Sequence, residues 1–175
     1  MPLPVSPVRL TSHDLVLREW RIADLPAMVE LFDEPDIADR TPLRSPFDLD
    51  AAREYLEMIH RTRAEGQRLH LAITADGHRP LGEALLNLSR GTMGYAVGTA
   101  HRGQRLALRA GRLLTDYAHE VLELPRVLLE IEADNAPSVS VARALDFCPT
   151  NDEPERVEGK GRTFILHTWA HDSAG

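Results

Sequence analysis

A single cysteine, Cys148, stands in 175 residues, so an internal disulfide is excluded and no thiolate cage for a metal can be assembled. No His or Lys lies beside it in sequence to activate the thiol, and Cys148 reads as a small core or near-core residue. The chain also lacks any apolar run approaching the ~18 residues of a membrane span. Its start, MPLPVSPVRL, has prolines where a secretory leader has a basic region and an apolar core. The cytoplasm is the expected location, and no membrane partner is expected. Positive charge is in deficit, with 20 Lys plus Arg against 27 Asp plus Glu and a formal net charge of −7. A net negative surface repels phosphate backbones, so nucleic acid is not an expected partner and any anion site must be a local basic patch. The histidines show no metal-ligand spacing, so no metal is expected. Internal repeats are absent as well.

Hydrophobic residues make up 43% of the chain, the balance of a globular protein. Its length suits one domain of the usual ~100–200 residues. Residues 1–9 read as an extended arm and residues 10–172 as one domain. The segment HDLVLREWR, from His13 to Arg21, is strand-like. Asp24 then stands as an N-cap with Pro26 in the first turn of a helix to about Asp33. A second helix runs from Asp48 or Asp50 to Glu65, ahead of Gly66. Strands follow from Leu69, Leu81 and Thr92, with a turn at Asp76-Gly77. From Gln104 to about Leu122 the periodicity is strongly helical, with Leu106, Ala110, Leu113, Leu114, Tyr117 and Val121 on one face. Arg126–Ala133 is a strand, Pro137–Leu145 a short helix and Arg162–Ala170 a last strand, while NDEPERVEGKG reads as a charged loop. This order excludes regular βαβ alternation. It implies an α/β protein of mixed type with an antiparallel meander inside a mixed sheet.

The stretch TAHRGQRLALRAGRLLT, Thr99 to Thr115, holds four arginines and a histidine with no acid, inside an acidic protein. It leaves a strand, passes Gly103 and enters the strong helix, so unpaired N–H groups and the positive end of the helix dipole converge there. A phosphate suits that spot; a solvated arginine face is the plainer alternative.

With its neighbours, GYAVGTAHRGQRLALRA resembles the acyl-coenzyme A signature of the GNAT N-acetyltransferases, and in particular their RimJ/RimL branch. In that family a strand containing Gly-Tyr is followed by a Q/RxxGxG/A loop whose amides bind the coenzyme pyrophosphate. Arg102 matches the first position and Ala107 the last, whereas Arg105 stands where the family has its first glycine. The likeness runs from about Leu10 to Ala170: LVLREWRIADLPAMVELF resembles the opening strand and helix, HLAITADGHRPLGEALL the next two strands, and DNAPSVSVARALDF the NxxSxxxxxxLGF element. In the last of these Asn135, Ser138, Leu145 and Phe147 match and Asp146 replaces a glycine. The resemblance implies a largely antiparallel sheet with splayed middle strands, flanked by about four helices.

It further implies that acetyl-coenzyme A is the acyl donor and a primary amine, on a protein N-terminus or a small molecule, the acceptor. The pantetheine arm would pair with the strand near Tyr95 and Val97. Arg102, Gly103, Gln104, Arg105, Leu106 and Ala107 would hold the phosphates, and Asn135 and Ser138 would face the thioester. Many members carry a tyrosine at the place of Ala142 to protonate the leaving thiolate; here Ser138 is the remaining candidate, with a helix-terminal serine as its plainer reading. An amine of pKa near ~10 arrives protonated and needs a proton acceptor. Glu83 is the first choice, with Glu130, Glu132 and His70 as the other available groups. The departures at Arg105, Leu108-Arg109 and Ala142 keep open a catalytically silent module that binds acyl-coenzyme A or a protein, and a homodimer is also left open.

Overall fold

In a computed structural model describing residues 2–175, those residues form nine strands in one sheet and five α-helices against it. The sheet runs β1 (Arg9–Ser12), β2 (Leu15–Glu19), β3 (Arg68–Thr74), β4 (Pro80–Asn87), β5 (Thr92–Val97), β6 (Arg126–Glu132), β9 (Arg162–Asp172) and β7 (Cys148–Pro149), and β8 (Glu155–Gly159) also pairs with β9. Every neighbouring pair is antiparallel except β5 and β6, which are parallel.

Strand alternation divides the core into two layers. On β3, Leu69, Leu71 and Ile73 point into a cluster with α4 (Leu106–Glu120) and α5 (Ala136–Ala144). Ala72 points the other way, into a cluster with α1 (Leu25–Phe32), α2 (Pro35–Arg40) and α3 (Leu49–Ala64). The helix boundaries follow local chemistry: Pro26 sits in the first turn of α1, and the Asp48 carboxylate accepts the Ala51 amide at 2.8 Å to open α3. A buried Arg18–Asp24 pair at 2.7 Å ties β2 to the start of α1. No helix among the described residues is long and apolar enough to cross a membrane.

Several expectations need correction. The strand expected from His13 starts at Leu15 as β2, and a further strand, β1, precedes it, because Asp14 adopts φ 51° and turns the chain between them. The sequence reading places no helix at α2, a six-residue helix whose buried side chain is Ile37. Part of the expected loop NDEPERVEGKG is β8, an exposed strand held by its ladder to β9. In α4 the apolar face ends differently, since Val121 is the C-cap and is 49% exposed while Leu122 is buried. Cys148 is exposed rather than near the core, because it follows buried Phe147 into the short edge strand β7, both of whose residues are exposed.

Candidate active site

Parallel pairing between β5 and β6 is registered at Thr92 opposite Leu128, and the Leu128 amide donates to the Gly91 carbonyl at 2.8 Å. Beyond that point the strands part. The gap opens into a cleft of about 1190 Å³ that runs from the N-terminus of α4, past the start of α5, to the face of β4 under α3. Of the residues singled out from sequence, Glu83, Tyr95, Val97, Arg102, Gly103, Arg105, Leu106, Ala107, Asn135 and Ser138 line this cleft. Gln104 is exposed and lies outside its lining.

At one end, α4 begins without a side-chain cap and without an acid in its first turn, whereas Asp48 caps α3 and Asn135 caps α5. Its first-turn amides are therefore left for a ligand or solvent. Arg105 is the N-cap and takes the left-handed conformation, φ 56° and ψ 30°, which a glycine adopts without strain. Its side chain is exposed, with no ion pair or side-chain hydrogen bond among the described residues. The other arginines of the patch have partners. Arg102 pairs with Asp36 at 2.8 Å, Arg112 donates to the Ala144 carbonyl at 3.1 Å, and Arg109 donates to the His13 carbonyl. The acid-free stretch in sequence thus meets an acid in space, brought by α2.

At the middle of the cleft Asn135 caps α5, its side chain accepting from the Ser138 amide at 3.4 Å. That contact uses the carbonyl oxygen and leaves the NH₂ group for a ligand. Ser138 is in the first helical turn, half-buried. Tyr95 packs its ring against the α4 layer and donates its hydroxyl to the Ser138 carbonyl at 3.4 Å. Burial raises the Tyr95 phenol above its ordinary range, so it remains a donor. Ala142, where many family members carry a tyrosine, is fully buried.

At the far end Glu83 is 3% exposed, and its Oε1 accepts from the Tyr55 hydroxyl at 2.6 Å. His70 stands beside it on β3, with Nδ1 at 3.4 Å from the same oxygen. Tyr55 is the cleft residue in contact with Glu83 that sequence reading missed, since it sits in the apolar stripe of α3 and reads as core. The alternative acids are paired. Glu132 is held by Arg40 at 2.7 Å and by Arg162 at 2.7 Å, chiefly the Arg162 hydrogen bond keeping its carboxyl below the usual range. Glu130 lines the cleft but is bound by Arg90 at 2.6 Å, and burial raises its carboxyl against that guanidinium's pull. No cluster that could hold a metal occurs among the described residues.

If the Asn135 amide holds a ligand as well as a helix end, two substitutions separate the roles. Asn135→Ala should lose ~1 kcal/mol of stability with the cap and also weaken acetyl-coenzyme A binding, whereas Asn135→Gly should cost only a few tenths of a kcal/mol and weaken binding equally. Thermal denaturation and calorimetric titration of both variants check this; unchanged affinity in the glycine variant would leave Asn135 a cap alone.

A gap in a mixed sheet thus faces an uncapped helix on one side and a buried carboxylate on the other. The sequence matches the acetyltransferase (GNAT) domain over residues 14–148, and the chain belongs to the GNAT acetyltransferase family. An uncharacterized N-acetyltransferase, p20, from Bacillus licheniformis is 25% identical over 167 residues, covering 92% of this chain and 94% of that protein. Mycobacterium smegmatis RimJ, solved in complex with CoA-disulfide, superposes with a TM-score of 0.80 at 17% identity, covering 95% of this chain and 87% of that one. The ribosomal-protein-S5-alanine acetyltransferase from Vibrio fischeri superposes with a TM-score of 0.79 at 15% identity, covering 94% and 96%. At these identities the two structures speak to the fold.

Proposed function

We propose that this protein transfers an acetyl group from acetyl-coenzyme A to a primary amine by direct attack, with residues 10–172 acting as one domain. One observation carries the reading: a single cleft joins the uncapped N-terminus of α4 to the buried carboxylate of Glu83 through the gap between β5 and β6. The first-turn amides of α4 and the exposed guanidinium of Arg105 suit the coenzyme's phosphates, and the free edge of β5 around Tyr95 and Val97 suits an extended amide-bearing arm. When bound, the coenzyme supplies an activated thioester. Glu83 takes the proton of the attacking ammonium, and the Ser138 hydroxyl donates to the negative charge that develops on sulfur. The ribosomal-protein-S5-alanine acetyltransferase acts on a protein by its name, and a protein N-terminus is the acceptor read here, with the cytoplasm as the place of reaction. A small amine fits the same chemistry.

Calorimetric titration with acetyl-coenzyme A, followed by thiol release across N-terminal peptides, polyamines and aminoglycosides, tests the reading. Binding with release by at least one amine is expected, and binding with release by none would overturn it. Ser138→Ala should lower kcat by ~10- to 100-fold, the worth of a hydrogen bond to a charged group, with the KM for acetyl-coenzyme A unchanged. Unaltered kcat would remove Ser138 from the chemistry.

A further inference from the structure

Three polar side chains far apart in sequence meet on the α3 face of the sheet. Tyr55 Oη donates to Glu83 Oε1 at 2.6 Å, and His70 Nδ1 lies 3.3 Å from Tyr55 Oη and 3.4 Å from Glu83 Oε1. Burial, and then the Glu83 charge, hold the Tyr55 phenol well above its usual range, so its one proton stays on the hydroxyl and is directed at Oε1. Both atoms facing His70 Nδ1 are then acceptors, so in the neutral ring Nδ1 carries the hydrogen and Nε2 is the acceptor. The far side of the ring has room for this arrangement. His70 Nε2 and the Trp20 Nε1–H are both buried without a protein partner, and both residues line a cavity with room for about one water. A water there would donate to Nε2 and accept from Nε1–H.

The consequence falls on Glu83 Oε2, which is buried, has no partner and belongs to a residue lining the cleft. We infer that Tyr55 and His70 are positioning residues that occupy Glu83 Oε1 and leave Oε2 as the atom that takes the proton of the attacking amine. An ammonium N–H bond breaks as the Oε2–H bond forms, and the nitrogen lone pair is released for attack. The inference rests on Glu83 as the proton acceptor. Arg68 on β3 lines the cleft and its charge reaches Tyr55; Glu54 on α3 pairs with Arg44; Glu30 on α1 pairs with Arg79; and Tyr95 on β5 turns to the α4 layer.

The test has two arms. Ring ¹⁵N shifts of His70 in the labelled wild-type protein should report hydrogen on Nδ1, and hydrogen on Nε2 would overturn the inference without any variant. Kinetics then use whichever amine of the panel releases most thiol. Tyr55→Phe should lower kcat by ~10-fold and leave the KM for acetyl-coenzyme A unchanged. It should also move the acid limb of the kcat profile to higher pH, because a carboxylate that loses a donor favours its protonated form. His70→Asn, which returns an N–H near the Nδ1 position, should keep most of the activity. In a Glu83→Gln background Tyr55→Phe should cost nothing further. A slow Glu83→Gln with a wild-type-like Tyr55→Phe, or additive losses in the double variant, would overturn the positioning role alone. A silent Glu83→Gln would overturn the assignment of the base and this inference with it.

Discussion

Replacing Glu83 by Gln is expected to lower turnover by ~10²–10⁴-fold, the span attributed to a positioned general base, while acetyl-coenzyme A affinity is unchanged. Glutamine keeps an oxygen for the Tyr55 hydroxyl and nearly the same volume, so packing around this 3% exposed site survives. What it removes is the capacity to take a proton. The wild-type rate should rise toward alkaline pH as more of the attacking amine is unprotonated, since a free amine titrates near ~10. In the Gln variant the rate should fall across the range, and at neutral pH most of all, where the ammonium has no acceptor. The choice among the acids is structural. Glu132 is engaged by two arginines and Glu130 by one, whereas no arginine or lysine pairs with Glu83 among the described residues and one of its oxygens is uncommitted. A wild-type-like pH profile in the variant would pass the role to Glu130 or to a water path.

Legibility in the sequence followed how local each determinant was. The helix α4 announced itself because buried Leu106, Ala110, Leu114 and Tyr117 recur at helical spacing, and α1 and α3 because Pro26 and Asp48 mark their starts. The short α2 carries one buried side chain, Ile37, and so has no period to read. Strand β8, with ERVEG exposed or half-exposed throughout, exists through its pairing with β9, a partner that no local pattern specifies. The same limit applied to the site. The basic entry to α4 is a local signal, whereas Asn135 is singled out by the resemblance of DNAPSVSVARALDF and its place as a helix cap by the structure. The Tyr55–Glu83 contact joins residues 28 apart, and the Arg102–Asp36 pair residues 66 apart, so neither could appear before the fold brought them together. His70 and Glu83 share a face of the sheet through the β3–β4 register, in which Glu83 stands opposite Ala72, two residues from His70.

Arg105→Glu is expected to abolish coenzyme binding, and Arg105→Gly to preserve it, the contrast that decides whether this residue serves the site or obstructs it. The position requires φ 56°, a left-handed backbone that costs a non-glycine residue roughly 1–2 kcal/mol. Glycine there should therefore stabilise the protein by ~1 kcal/mol. The conformation itself explains why the resembled loop has glycine at this place, and the arginine retains the same turn rather than replacing it. Because the side chain is exposed at the mouth of the cleft, its guanidinium can meet phosphate oxygens while the first-turn amides of α4 remain open. Losing an exposed ion pair is worth ~0.2–1 kcal/mol, so the Gly variant should bind acetyl-coenzyme A less than ~10-fold more weakly than the wild type. A glutamate sets like charges against each other at a helix N-terminus, at a cost of several kcal/mol, which takes affinity down by more than ~10²-fold. Calorimetric titration of the three proteins reads this directly. No binding by the wild type together with tight binding by the Gly variant would mean that Arg105 closes the site, and the reading of the chain as an active acetyltransferase would give way to a silent module of the same fold.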